Sequence, residues 1–190
     1  MKEKILVIAG ASGSGKTTIV KSLVEKYPNY FEISVSYTTR APRAQEVNGR
    51  DYHFITRDEF EKKIERKDFA EYAEYAGNYY GTELDVDRVK ENKKIRILEI
   101  EKKGVESVKK MEIPAKYLYI YSPINALHKR ILQRAFISED ELSKRLMKAA
   151  EENAFGKSGA FDKVVENIDL EEAFEEVIRF VTEVFPEIED

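Results

Sequence analysis

The amino-acid sequence predicts an α/β fold in which a parallel sheet is flanked by helices. Three observations predict it. Short runs of aliphatic and β-branched residues recur along the chain, segments with apolar residues at helical spacing lie between them, and a glycine-rich turn joins the first run to the first such segment. The first run, Ile5 to Ala9, contains no polar residue and reads as a strand buried on both faces. From Thr17 to Tyr27 the positions Ile19, Val20, Leu23 and Val24 follow a helical repeat, and the stretch stops before Pro28. Ile95 to Ile100 and Tyr117 to Tyr121 repeat the character of the first run, and Lys163 to Val165 is a candidate for one more strand. Near the C-terminus Leu170, Phe174, Val177, Ile178, Val181 and Phe185 form an apolar stripe that Pro186 ends, the mark of a helix packed on the sheet.

Two polar stretches, 34–88 and 126–147, interrupt this framework, and their residues suit contacts rather than a core. With no internal repeat and no low-complexity linker, the expected organisation is one domain. Its core is 1–33, 89–125 and 148–190, and the two polar stretches are lobes over a site. A length of 190 residues fits one such core. Apolar residues at 42% and aromatics at 11% exclude a disordered or collagen-like chain. The net charge of −4, with no segment that gathers Lys and Arg, argues against a nucleic-acid partner. With no cysteine there is no disulfide framework, thiolate nucleophile or Cys-based zinc site, which suits a reducing cytoplasmic setting. The N-terminal residues lack the pattern of a signal peptide and no stretch approaches transmembrane length, so no membrane partner is expected. Oligomeric state is left open.

Gly10, Ala11, Ser12, Gly13, Ser14, Gly15, Lys16 and Thr17 fit the pattern G-x-x-x-x-G-K-[ST], and Thr18 follows. The motif stands where its mechanism needs it, after a buried strand and at a helix start. Glycines let successive backbone N–H groups turn toward phosphate oxygens, and the helix N-terminus adds partial positive charge there. Lys16 is expected to reach the β and γ phosphates and Thr17 to offer its hydroxyl to Mg²⁺. Binding of ATP or GTP follows from these residues; the acceptor does not.

The acceptor is suggested by Ser34, Ser36, Thr38, Thr39, Arg40, Pro42, Arg43, Glu46, Gly49, Asp51, Tyr52 and Phe54. Here the chain resembles guanylate kinases, whose signature S-x-S-x-T-T-R-x-P-R-x-x-E-x-x-G-x-D-Y-x-F it matches. The likeness continues from Phe69 to Thr82, from Ile97 to Glu101, and through the segment that ends at Arg145. The resemblance implies a P-loop nucleoside monophosphate kinase fold with a GMP-binding lobe over 34–88 and a lid over 126–147. It implies transfer of the γ-phosphoryl group of ATP to GMP with Mg²⁺, and leaves use of dGMP open.

By the same resemblance Arg40, Arg43, Tyr52 and Tyr80 would hold the GMP phosphate, Glu71, Ser36 and Thr82 would read the base, and Gly81 would also contact GMP. The chemistry agrees. Arg forks match phosphate oxygens bidentately, and a carboxylate can accept from both the N1–H and the exocyclic amine of guanine, a pairing adenine does not offer. Glu99 and Glu101 alternate along an expected strand, so they should share a face near the acceptor and metal. Arg130, Arg134 and Arg145 would be lid arginines over the transferring phosphoryl group; Arg130 and Arg134 also touch ATP, and Arg145 also touches GMP. Lys16, Arg40, Arg43, Arg134 and Arg145 are the candidate catalytic residues.

The chain departs from the family pattern in Glu101, where Asp is usual, in Lys102 and Lys103, and in Ala135, where glycine usually follows the middle arginine. Its two histidines, His53 and His128, form no nucleophile pair; His53 is expected to pack beside Tyr52 and His128 to face solvent. Two other readings stand beside this one. Guanylate-kinase-like modules in scaffold proteins bind phosphopeptides without catalysis, but commonly lose phosphate-loop residues that this chain keeps as Gly15, Lys16 and Thr17. A kinase for AMP, UMP or CMP is disfavoured by the carboxylate of Glu71.

Overall fold

The computed structural model describes residues 4–43, 46–75, 77–83, 93–134 and 138–189, with the side chains at 75 and 134 outside that description. In chain order its elements begin with β1 (Ile5–Gly10), α1 (Lys16–Lys26), β2 (Phe31–Ile33), β3 (Tyr37–Thr38), β4 (His53–Phe54), α2 (Arg57–Glu65), β5 (Phe69–Tyr75) and β6 (Asn78–Glu83). They continue with β7 (Ile95–Glu99), α3 (Lys102–Lys110), β8 (Lys116–Tyr121), α4 (Ile124–Arg134), α5 (Glu139–Gly156), β9 (Lys163–Glu166) and α6 (Leu170–Val184).

The main sheet is parallel and runs β2-β7-β1-β8-β9, so β1 lies at its centre. Every residue of β1 is buried, and the two-residue period of a strand divides them between two cores. Leu6 and Ile8 join Ile19, Leu23, Val177 and Val181 from α1 and α6, whereas Ile5, Val7 and Ala9 join Leu98, Val105, Val108 and Tyr119. A fully buried aliphatic side chain contributes about 1.5–3 kcal/mol, so a charged residue at Val7 would break both the strand and the face it covers. A third, smaller cluster joins Ala11 of the glycine loop to Leu127 of α4 and Ala149 of α5. It seats the loop on these two helices.

The polar stretch from residue 34 carries a sheet of its own, ordered β4-β3-β6-β5. Its strands β3 and β4 are two residues each, too short for alternation to reveal, and pairing holds them: Tyr37 and Thr38 register with Gly81 and Tyr80 of β6. Helix α2 covers this sheet. Thr56 and Glu59 close a reciprocal capping box at its start, and Phe60 stacks on Phe69 and Tyr79 at 4.4 and 5.2 Å. The described residues of the second polar stretch fall on two helices, 126–134 on α4 and 139–147 on α5, with Ser138 as the N-cap of α5.

Four details differ from the sequence expectations. The short edge strand β2 is present although no apolar run marks it. His53 stacks on Tyr37, with ring centroids 4.5 Å apart, because parallel pairing of β3 with β4 sets them side by side. His128 is half-buried on α4 rather than open to solvent. The strand carrying Glu99 ends at that residue: Glu101 has already turned to φ −88° and ψ 178° as the N-cap of α3, with its carbonyl accepting from Val105 at 3.1 Å. Strand alternation therefore does not relate the two glutamates.

Candidate active site

The glycine loop joins the C-terminal end of β1 to the first turn of α1, and local chemistry leaves that turn open to an anion. No side chain caps α1, its first turn holds no acid, and Gly15 takes the N-cap position at φ 89°. A side chain at Gly15 would also collide with the Asn167 amide, and one at Gly10 would meet the Ile120 carbonyl at 2.5 Å. The loop's carbonyls face the protein. Gly13 O accepts from Arg130 at 3.4 Å, and Ser14 O accepts from Asn167 Nδ2 at 2.7 Å and from Ser122 Oγ at 3.4 Å. Across a trans peptide the N–H opposes the C=O, so the Gly15 N–H points away from Asn167. Of the other loop residues, Ala11 is buried in the helix-facing cluster, Ser12 and Thr18 are exposed, and Lys16 is half-buried at the head of α1.

Thr17 donates its hydroxyl proton to Glu99 Oε1, which brings the end of β7 against the first turn of α1. Hydroxyl and carboxylate are both hard oxygen donors, a set that fits Mg²⁺ with its remaining positions left to water and phosphate. Among the described residues no group of three or more His, Cys, Asp or Glu could hold a metal by itself. Thr17 and Glu99 open onto a cavity of about 390 Å³ whose far wall is Ser36, Glu46, Arg50 and Tyr52. The same space therefore touches the glycine loop's helix and the segments that lead into β3 and β4 of the second sheet.

At the second sheet, the residue before β3 and residues of β5 and β6 bring three side chains into one chain of hydrogen bonds. Ser36 Oγ lies 3.2 Å from Thr82 Oγ1, and Thr82 Oγ1 donates to Glu71 Oε1 at 3.2 Å. Thr82 is buried and Glu71 half-buried. Burial pushes the Glu71 carboxyl above the usual glutamate range; the Thr82 hydrogen bond opposes this and the charge of Glu101 adds to it. Gly81 lets β6 approach closely: a Cβ there would meet Phe60 at 2.9 Å.

The arginine and tyrosine group lies beside this chain. Arg40 donates two hydrogen bonds to Glu46, each 2.9 Å, and Glu46 also accepts from the Arg43 backbone at 2.7 Å. These bonds, that from the Arg40 side chain first, hold the Glu46 carboxyl below its ordinary range. The Arg40 guanidinium lies 5.7 Å from the Tyr52 ring centroid, and Tyr52 meets Tyr80 edge-on at 6.1 Å. Burial raises the Tyr52 phenol, keeping it a donor. Arg43 is exposed.

The remaining candidates do not converge on the cavity. Arg145 is exposed and pairs with Glu141 one turn earlier on α5. The Arg134 side chain and Ala135 lie outside the described residues. Glu101 faces Lys148 at 2.9 Å. Arg130 is turned into the wall, donating to Ser122 Oγ and Asn167 O at 3.0 Å each, as well as to Gly13 O and Ile168 O. Its helix starts two residues after Ser122, close enough for the guanidinium to cross beneath the loop.

Sequence reasoning missed the buried polar network under the loop. Ser122 and Asn167 follow β8 and β9 directly, and Asn153 of α5 joins them by donating to Ser122 O at 2.9 Å. A small polar residue just after a buried run in a parallel sheet sits where such sheets bind ligands, a signal that points to Ser122 and Asn167. No pattern marks Asn153 or its neighbour Glu152.

Comparison with known proteins gives a consistent set of relatives. The family model described as guanylate kinase matches residues 2–184. A guanylate kinase of Rubrobacter xylanophilus is 40% identical over 183 residues, 95% of this chain and 94% of that one. The human guanylate kinase is 36% identical over 181 residues, 94% of this chain and 92% of its own length. Among solved structures, the crystal structure of guanylate kinase from Anaplasma phagocytophilum superposes with a TM-score of 0.70 at 27% identity, covering 96% of this chain and 86% of that one.

Proposed function

The chain belongs to the guanylate kinase family, and on that premise we propose that it transfers the γ-phosphoryl group of ATP to GMP, giving ADP and GDP. The observation that carries the proposal is the shared cavity. Thr17 and Glu99 line it from the loop side and Ser36 and Tyr52 from the acceptor side, so donor and acceptor phosphates can meet in one cleft.

On the donor side, Lys16 and the N–H groups from Gly10 to Thr18 hold the ATP phosphates, with Arg130 fixing the loop through its carbonyls. Thr17 and Glu99 would hold Mg²⁺, which supplies charge neutralisation on the β and γ oxygens when bound. On the acceptor side, Arg40, Arg43, Tyr52 and Tyr80 bind the GMP phosphate. Glu71 accepts from the guanine N1–H and amine, while Ser36 and Thr82 donate toward O6. A phosphate monoester with a second pKa of about 6 is already largely ionised at neutral pH, so its oxygen attacks without a general base. The departing bond is that between the γ phosphorus and the β–γ bridging oxygen, whose charge stays on ADP. Arg134 and Arg145, carried by helices of the 126–147 segment, move in to neutralise charge on the transferring group. Arg145 must leave Glu141 to do so. Gly81 gives the base room, and Glu101 touches GMP only if Lys148 releases it.

Among the described residues no helix is long and apolar enough to cross a membrane. We place the reaction in the cytoplasm, where both nucleotides are available. The test is release of ADP, coupled to NADH oxidation, with GMP, dGMP, AMP, UMP and CMP each offered as acceptor. Turnover with GMP far above AMP, UMP and CMP is expected; silence with GMP would overturn the proposal.

A further inference from the structure

Side chains from β3, α2 and β6 meet on the helix-covered side of the second sheet. Tyr37 of β3 donates its phenol proton to Glu83 Oε2 at 2.7 Å, and Lys63 of α2 donates to Glu83 Oε1 at 2.6 Å. The Lys63 ammonium also lies 3.5 Å from Asp68 and 4.5 Å from the centroid of the Tyr37 ring. Glu83 thus accepts from two donors, one through each oxygen, with its side chain 25% exposed and that of Lys63 18%. Hydrogen bonds to an ionised carboxylate are stronger than those between neutral groups, and these are largely withdrawn from water.

The sheet carries that grip to its other face. Tyr37 registers with Gly81, whose Cβ position faces Phe60 of α2, and side chains alternate along a strand, so Tyr37, Gly81 and Glu83 share the helix side. Thr82 therefore faces away from α2, and Ser36 meets it there at 3.2 Å. Each of these hydroxyl residues is the chain neighbour of one member of the clamp. The registered pairs of β3 end at Tyr37, so strand pairing stops just short of Ser36. Bonds between hydroxyls run at about 2.5–3.0 Å, and one already past that range is lost with a further slip of a few tenths of an ångström.

We propose that Glu83 is a positioning residue for base recognition: by holding Tyr37 on the helix side of the sheet, it fixes the spacing of Ser36 and Thr82 on the other side, the pair of hydroxyls that reads guanine O6. The inference rests on the assignment of Ser36 and Thr82 to that atom. A clamp kept only for the fold would move Tm and leave the substrate constants alone. One that sets a reading distance acts on GMP and spares ATP, which binds at the opposite wall of the cleft.

The test is a double-mutant cycle of Tyr37→Phe, which removes the hydroxyl and keeps the ring against His53 and Phe69, of Glu83→Ala, and of both together. Steady-state kinetics of the whole chain, with GMP and ATP varied in turn, are read beside Tm. Each single variant should raise KM for GMP about fivefold with kcat and KM for ATP unchanged, and the double variant should go no further than Glu83→Ala alone. Thr56→Ala, which loosens the opposite end of α2, is the control for lost stability and should keep KM for GMP at the parent value. An unmoved KM for GMP in Tyr37→Phe would overturn the inference. So would an equal rise in KM for ATP, an equal rise in Thr56→Ala, or single-variant effects that multiply in the double variant. Tyr37→Phe decides alone if Glu83→Ala does not fold. A parent that turns over no GMP would refute the kinase reading first, and this inference with it.

Discussion

Gly104, in the first turns of α3, packs against the Glu71 side chain, and replacing it by alanine tests how tightly that carboxylate is placed. A Cβ at this position would lie 2.8 Å from Glu71 Cγ and 2.9 Å from Ile100 Cβ. Ordinary carbon contacts sit near 3.6 Å, so Glu71 would have to retreat by roughly 0.8 Å. In an unobstructed helix Gly→Ala stabilises by about 1 kcal/mol, whereas overpacking a buried site costs about 1–3 kcal/mol. The net expectation is a loss of up to about 2 kcal/mol, or a fall of several degrees in Tm. A carboxylate displaced this far loses the alignment of a charge-assisted pair, about 1.5–3 kcal/mol. The KM for GMP should then rise roughly ten- to a hundredfold, with the KM for ATP unmoved. Thermal unfolding and steady-state kinetics with each substrate varied in turn read both effects. A Tm that rises as helix propensity alone would have it, with GMP kinetics unchanged, would refute the packing argument.

Lys16→Ala should lower kcat by on the order of 10²–10³ while leaving Tm unchanged, because the half-buried side chain stabilises charge in transfer rather than the fold. Glu71 also predicts a pH dependence. Its folded pKa is raised by burial, so the folded chain holds the proton more tightly than the unfolded one, and stability from this group falls as pH rises between the two pKa values. Guanine pairing needs the ionised form, so KM for GMP should drop as pH rises through the folded pKa; Glu71→Gln should give a higher KM with that slope removed. Thr56→Ala, which opens the capping box of α2, should cost about 1 kcal/mol and lower Tm by a few degrees without changing kcat.

The framework was legible because its signals are local. A polar-free run before the glycine loop and a helical repeat after it leave little choice for β1 and α1, and the full burial of β1 is what such a run implies. The second sheet was not legible as strands, since two-residue segments such as Tyr37–Thr38 exist only through their partners. What pointed to Ser36, Glu71 and Thr82 was family likeness, and the hydrogen-bond chain joining them is a tertiary fact. Alternation misplaced Glu101 because it assumes the strand continues, and the chain turned into α3 instead. Arg130 stands one turn before Arg134 on the same helix, yet its guanidinium reaches loop carbonyls rather than the cavity. Ser122, Asn153 and Asn167 come from three separate segments, and no periodicity foretells their meeting.

A crystal structure of the chain with GMP and a non-hydrolysable ATP analogue tests the central claim most directly. The account predicts guanine N1 and its amine within hydrogen-bond distance of the Glu71 carboxylate, the GMP phosphate against Arg40, Tyr52 and Tyr80, and the γ-phosphate on Lys16 facing it. A guanine edge bound away from Glu71, or a GMP phosphate that does not face the loop, would contradict it.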